Sequence, residues 1–153
     1  MRLLTTAFAA LVLGGAAAPV FAQESGVTVR DVRVLATDPE AVAAFYEKAF
    51  GMSETARPVS TPTFKEIIIN SGSTAEIARK ATSTPIVIAT RPKDSTPAPM
   101  PTLILQVPNL EKTIDSVKAA GGALVRGVGH TAGVSYAMVK DPDGNQIEIV
   151  LKP

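Results

Sequence analysis

The sequence predicts an α+β domain made of two βαβββ modules in tandem. Three observations carry this. A strand–cap–helix–glycine block occurs twice, with Asp38 capping the first helix and Asn109, 71 positions later, capping the second. A single offset superposes the two preceding strands without a gap, which marks an internal duplication. Apolar and polar residues alternate on both sides of these blocks, the period of half-buried strands. Finally, Asp141-Pro142-Asp143-Gly144-Asn145 can be neither helix nor good strand: Pro142 fixes its own φ, and Gly144 and Asn145 tolerate the left-handed region that tight turns need.

Taken in order, residues 29–36 read as a strand with Val32, Val34 and Ala36 on one face and Asp31, Arg33 and Leu35 on the other. Asp38 then caps a helix whose first position is Pro39, a favoured pairing. The helix runs to Phe50 with Val42, Phe45, Ala49 and Phe50 on its apolar stripe, and Gly51 stops it. Strands follow at 53–59, 63–70 and 85–90. The stretch 71–84 is long for a hairpin and leaves room for a short helical turn at 75–80. Residues 92–101 carry Pro92, Pro97, Pro99 and Pro101 and form a stiff connector. The second module repeats the plan: strand 102–107, cap Asn109, helix 110–120 with Leu110, Ile114 and Val117 inward, and a stop at Gly121-Gly122. Its later strands are 123–127, 134–140 and 146–151. In the last of these Ile147, Ile149 and Leu151 point one way, and Gln146, Glu148 and Val150 the other.

The first 22 residues read as a secretory signal peptide. Arg2 is followed by an apolar run, and Val20-Phe21-Ala22 ends it with small residues at the cleavage positions. The expected mature chain, 23–153, is then periplasmic or secreted, with no stable membrane insertion after cleavage. It fits one domain: module one at about 27–92, the connector at 92–101, module two at about 101–152. There is no cysteine, so neither a disulfide nor a lipid anchor on cysteine is available, and the core must hold the fold by itself. Without Arg2 the chain carries 14 Lys and Arg against 14 Asp and Glu. It has no basic block, which argues against nucleic acid and anionic membranes as partners.

Thr37-Asp38-Pro39-Glu40, Phe45-Tyr46-Glu47-Lys48-Ala49-Phe50-Gly51-Met52, Val107-Pro108-Asn109-Leu110, Ala119-Ala120-Gly121-Gly122 and the stretch from Lys140 to Glu148 together resemble the vicinal oxygen chelate superfamily. That group holds glyoxalase I, bleomycin- and fosfomycin-resistance proteins, extradiol dioxygenases and methylmalonyl-CoA epimerase. The resemblance spans essentially the whole expected mature chain. It implies that the modules pair into a curled mixed sheet, a cup with helices packed behind. Val32, Val34, Leu103, Leu105, Val107, Ile147 and Ile149 would then pack on the helices. Asp31, Arg33, Thr102, Ile104, Gln106, Gln146 and Glu148 would look into the cup, a surface polar enough to grip a small oxygenated or nitrogenous molecule.

In metal-using members of that superfamily, ligands come from the first and last strand of each module. Carried over, these positions hold Asp31, Thr102 and Glu148. The fourth is Val87 or Ile88 if 85–90 is the last strand of module one, and Glu76 if 73–79 is. The first choice is preferred, because Ile86, Val87 and Ile88 are stronger strand formers. No imidazole remains on either first strand, although Zn, Ni and Fe sites favour it. Asp31 and Glu148 would suit Mg or Mn. Arg33 is the sharper oddity: it either pairs with Asp31 and fills the metal position, or clamps a ligand carboxylate or phosphonate. The single histidine, His130, falls in a glycine-rich stretch from Gly127 to Gly133 that reads as a loop. It is either a lid residue that contacts ligand or supplies a base near neutral pH, or a plain exposed side chain.

Two functional expectations follow. One is an exported binding protein that holds a small polar organic molecule through Asp31, Arg33, Thr102, Gln106, Gln146 and His130, with a degenerate metal site and no cofactor. The other is a glyoxalase-type lyase, isomerase or epimerase that uses a divalent ion (Mg, Mn, Ni, Zn or Fe) on Asp31, Thr102, Glu148 and Glu76, with Glu148 catalytic. Family precedent and near-zero net charge allow a homodimer in either case.

Overall fold

The computed structural model describes residues 29–131 and 133–151; the expected leader at 1–22 lies outside them. Among the described residues the order is β1 (Val32–Ala36), α1 (Pro39–Phe50), β2 (Met52–Ser60), β3 (Lys65–Ser71), α2 (Ala75–Lys80), β4 (Ile86–Thr90), β5 (Leu103–Val107), α3 (Leu110–Ala119), β6 (Ala123–Thr131), β7 (Val134–Lys140) and β8 (Gln146–Leu151). No helix among them is long and apolar enough to cross a membrane.

The strands form two four-stranded mixed sheets, ordered β1-β4-β3-β2 and β5-β8-β7-β6. In each, the first strand of the module lies parallel to the last and at the sheet edge, and the other pairings are antiparallel. The duplication therefore extends to register: Val32 faces Ile86 as Leu103 faces Ile147.

Both long helices begin at the expected caps. The Asp38 carboxylate accepts from the backbone N–H of Glu40 and Ala41, and Asn109 Oδ1 accepts from Lys112 N at 2.9 Å. Gly51 ends α1 at φ 64°, a conformation that favours glycine. Gly122 is needed for another reason: a Cβ there would stand 2.6 Å from Lys140 O and 2.6 Å from the Phe45 ring. Glycine thus lets α1 approach the junction of α3 and β7.

One core joins the modules. Val42, Phe45, Tyr46 and Ala49 of α1 and Leu110, Ile114 and Val117 of α3 are buried together with Val34, Ile67, Ile69, Ile86, Ile88, Val139, Ile147 and Ile149. Val34, Val107, Ile147 and Ile149 lie in that core, and Val32, Leu103 and Leu105 pack against it, so the helix-facing set read from alternation holds. Tyr46 was not on the expected stripe and is fully buried. Phe45 meets both Tyr46 and Phe50 edge to face, at centroid distances of 5.3 and 5.8 Å.

Two elements differ from expectation. The glycine-rich stretch is not a loop: β6 continues to Thr131 and pairs with β7, placing Gly129 opposite Tyr136. A Cβ at Gly129 would come within 3.2 Å of the Tyr136 ring, so this glycine makes room for an aromatic side chain and stays in the strand. β1 starts at Val32 instead of residue 29, because its partner β4 begins only at Ile86.

A polar clasp ties the modules together at one end. Arg91, just after β4, donates through Nε and Nη2 to Asp143 Oδ2 at 3.0 and 2.7 Å, and through Nη2 to Asn145 Oδ1 and Leu35 O at 2.7 Å each. Asp143 Oδ1 accepts from Thr37 N, and Asn145 Nδ2 donates to Leu35 O. The turn is organised from inside by Asp141, which is 2% exposed and accepts from the backbone N–H of Asp143 and Asn145 and from the Asn145 amide. Side-chain exposures of 7% for Arg91 and 12% for Asp143 make this a buried ion pair. Removing one partner leaves the other charge buried and unpaired. Arg91→Ala should therefore lower unfolding stability by about 3 kcal/mol in urea titration, and Arg91→Lys should recover less than half of that, because an ammonium cannot reproduce the fork.

Candidate functional site

A cleft of about 740 Å³ lies between the modules. That is within the ~300–1,000 Å³ of ligand pockets generally. It is bounded by the start of β1 (Val29, Val32), the end of α1 (Ala49, Phe50, Met52), the loop before β4 (Ser83, Thr84) and the whole of β5 with Pro108. Thr113 of α3 and Ser71 of β3 complete the wall. Among the described residues its polar side chains are hydroxyls and the Gln106 amide, and no Asp, Glu, Lys, Arg or His lines it. One wall is held rigidly. Asn70 is buried, donates to Ser83 O and accepts from the Ser83 hydroxyl and from Ser71 N.

The polar residues expected to share a cup are dispersed. Arg33, Thr102 and Gln146 line a smaller cavity of about 200 Å³ with Arg91 and Asn145, beside the clasp. The Gln146 amide donates to Pro99 O of the connector at 2.7 Å. Arg33 does not pair with Asp31. It crosses β4 to reach Glu66 on β3 at 2.8 Å, and Asp31 contacts Arg30 at 3.5 Å. The reason is register: Arg33 lies opposite Val87, next to Ala89, whose own partner is Glu66. Gln106 lines the neutral cleft. Glu148 is half-buried on β8 between Ile104 and Met138 and has no hydrogen-bond partner among the described residues. His130 is exposed on β6, its Nδ1 2.8 Å from the Ser135 hydroxyl of β7, in a paired hairpin and not in a lid.

The residues expected to hold a metal stand apart from one another. β4 is the last strand of module one, and Glu76 sits instead on α2, exposed, 2.9 Å from Lys80. Glu148 faces Ile104, and the matching pair in module one is Val87 facing Arg33. The fourth position is thus Val87, buried and without a donor atom. No group of three or more His, Cys, Asp or Glu that could hold an ion occurs among the described residues. A hydroxyl, a carboxylate beside Arg30 and a lone half-buried carboxylate do not fit a divalent ion.

Groups with shifted proton affinity lie away from the cleft. Burial pushes Tyr46 well above its ordinary 10.0, helped by the negative charge of Asp141. Burial also raises Asp141, against hydrogen bonds from Asn145 and Asp143 that lower it. Hydrogen bonds from Arg57 and Lys65 lower Glu40, which joins α1 to β2 and β3.

Two βαβββ modules that share one core and leave a ligand-sized cleft between their first strands define a duplicated small-molecule-site architecture. The sequence profile of the Glyoxalase/Bleomycin resistance protein/Dioxygenase superfamily matches residues 28–149, and the chain belongs to that superfamily. Similar solved structures include a superfamily member from Sphaerobacter thermophilus DSM 20745, with TM-score 0.65 and 15% identity, covering 82% of this chain and 98% of that one. TnmS3, an antibiotic binding protein from Streptomyces sp. CB03234, gives TM-score 0.63 at 20% identity over 83% of this chain and 97% of that one. A family enzyme from Burkholderia phytofirmans PsJN gives 0.62 at 18% over 82% and 98%. At these identities the likeness is one of fold. No curated protein matches the sequence. Members of the superfamily often use divalent metals, a use for which the donor set here is unsuited.

The clasp was missed from sequence, and of the cleft walls only Ile104 and Gln106 were expected to face a ligand. Ile104 was the available signal, an apolar residue where the repeat has Arg33. Tyr46 gives a test of the buried aromatic layer beneath the site. Its hydroxyl has no partner among the described residues, and its proton is held more tightly folded than unfolded. Stability should fall as pH climbs past 10.0 towards the folded value. In Tyr46→Phe that alkaline decline should flatten, with neutral-pH melting temperature unchanged or raised; a loss at neutral pH would show that the hydroxyl is bonded.

Proposed function

We propose that the protein is an exported, metal-free binding protein that holds a small, uncharged organic molecule in the cleft between its modules. The carrying observation is the cleft itself: ligand-sized, mostly apolar, with a few hydroxyls and one amide and no ionisable wall. This shifts the expected ligand from strongly polar to one with an apolar body and a few hydrogen-bonding groups. The smaller cavity at Arg33, about 200 Å³, suits a charged group but is too small for most drug-sized molecules. The description of TnmS3 as an antibiotic binding protein on the same fold supports a binding role and makes antibiotics a sensible part of a screen. Arg2, the apolar run and Val20-Phe21-Ala22 support export. The lyase reading needs a resident ion, and Val87 leaves that ion one ligand short.

A thermal-shift screen of neutral metabolites and antibiotics should yield compounds that raise the melting temperature. Thr84→Trp, which fills the cleft from its exposed rim, should weaken their binding by at least about tenfold, the scale of one lost apolar contact set. Chelator treatment and Glu148→Gln should leave that binding unchanged. A screen without any stabilising compound, or one whose compounds ignore Thr84→Trp, would sink the reading.

A further inference from the structure

We propose that the occupant of the cleft is a short peptide or peptide-like molecule that adds to the free edge of β5 as an extra strand. This rests on the cleft being the binding site and names the chemistry that the site recognises.

The cleft follows the edge of β5, not one of its faces. Leu103, Ile104, Leu105, Gln106 and Val107 all border it, although alternate residues point to opposite sides of the sheet. β5 is an edge strand, hydrogen-bonded only to β8. Which backbone groups look outward follows from the duplication. Val32 N donates to Pro85 O and Arg91 N to Ala36 O, so the even-numbered residues of β1 turn their backbone towards β4. Leu35 O faces the other way, where Arg91 and Asn145 take it. β5 sits on β8 in the same register, so Ile104 and Gln106 hold the outward positions of Arg33 and Leu35.

The two edges are treated differently. On β1 the outward carbonyl of Leu35 has two side-chain partners. On β5 no described residue bonds the outward N–H or C=O of Ile104 or Gln106. Ile104, 63% exposed, lies in the middle of this bare edge. A row of unpaired amide groups is a template for another strand, and the most economical partner is a second row of amides at matching spacing. An uncharged apolar wall suits small neutral side chains on that strand. The hydroxyls of Ser83 and Thr84 border the same cleft and can satisfy its remaining amides.

The test is hydrogen exchange on the nitrogen-labelled full chain with acetylated, amidated tetrapeptides of Val, Ala and Ser. Slower exchange at Ile104 and Gln106, with little change at Leu103 and Leu105, is the expected result. N-methylating alternate peptide amides should weaken binding by about fivefold per amide that pairs, the scale of one hydrogen bond. The peptide carries this change, so the protein's folding is not in question. Ile104→Pro, which deletes an outward N–H that β8 does not use, should reproduce the loss. Peptide binding that ignores N-methylation, or protects neither residue, overturns the proposal. So does protection before peptide is added: if it grows with protein concentration a second copy covers the edge, and if it does not the chain covers itself. Where non-peptidic compounds bind and Thr84→Trp blocks them while peptides fail, only this inference falls. If nothing binds at all, the binding reading falls with it.

Discussion

The Arg91–Asp143 ion pair is the constraint on which the relation between the two modules depends. Each sheet can satisfy its own ladder, and the helices supply a shared apolar core, but apolar contact has no direction. Direction comes from the clasp. One guanidinium ties the strand that ends module one to the turn that opens the last strand of module two, and both reach the backbone of β1 at Leu35 and Thr37. The organising carboxylate of Asp141 is buried and raised in proton affinity, yet three donors hold it in place. The turn is therefore pre-shaped to receive Arg91, which needs no long side chain on the module-two side to be ordered.

The clasp also decides where the protein is open. It holds the end of β1 against the start of β8, and the cleft lies at the other end of β1, around Val29 and Val32. The edge strands β1 and β5 belong to separate sheets and are not paired with each other. At matching register positions the two copies carry different chemistry: Arg33 against Ile104, Val87 against Glu148.

Much of the fold was legible in the sequence because local chemistry and global packing agree. Asp38 with Pro39, Asn109, Gly51 and the alternation in β1, β5 and β8 each report on structure within a few residues of themselves. The site was harder to read. Its polar residues were assigned to one cup because side-chain alternation says which face a residue occupies, but not what stands beside it on the neighbouring strand. Arg33 found Glu66 through β4, a partner 33 positions away that only register reveals. Glycines were read for conformational freedom, whereas Gly129 and Gly122 are required by close neighbours, Tyr136 in one case and Phe45 and Lys140 in the other. Glu76 was the less favoured choice for the fourth ligand, and α2, capped by Thr74, takes it out of the sheet.

The bond from Thr37 N to Asp143 joins residues 106 positions apart. Module one can pair its strands while the rest of the chain is still being made, since the ladders of its sheet are internal to it. The lock that fixes it against module two cannot close until the turn at 141–145 has been made. The core is shared in the same way, because α1 finds the other half of its packing only in α3 and the sheet of module two.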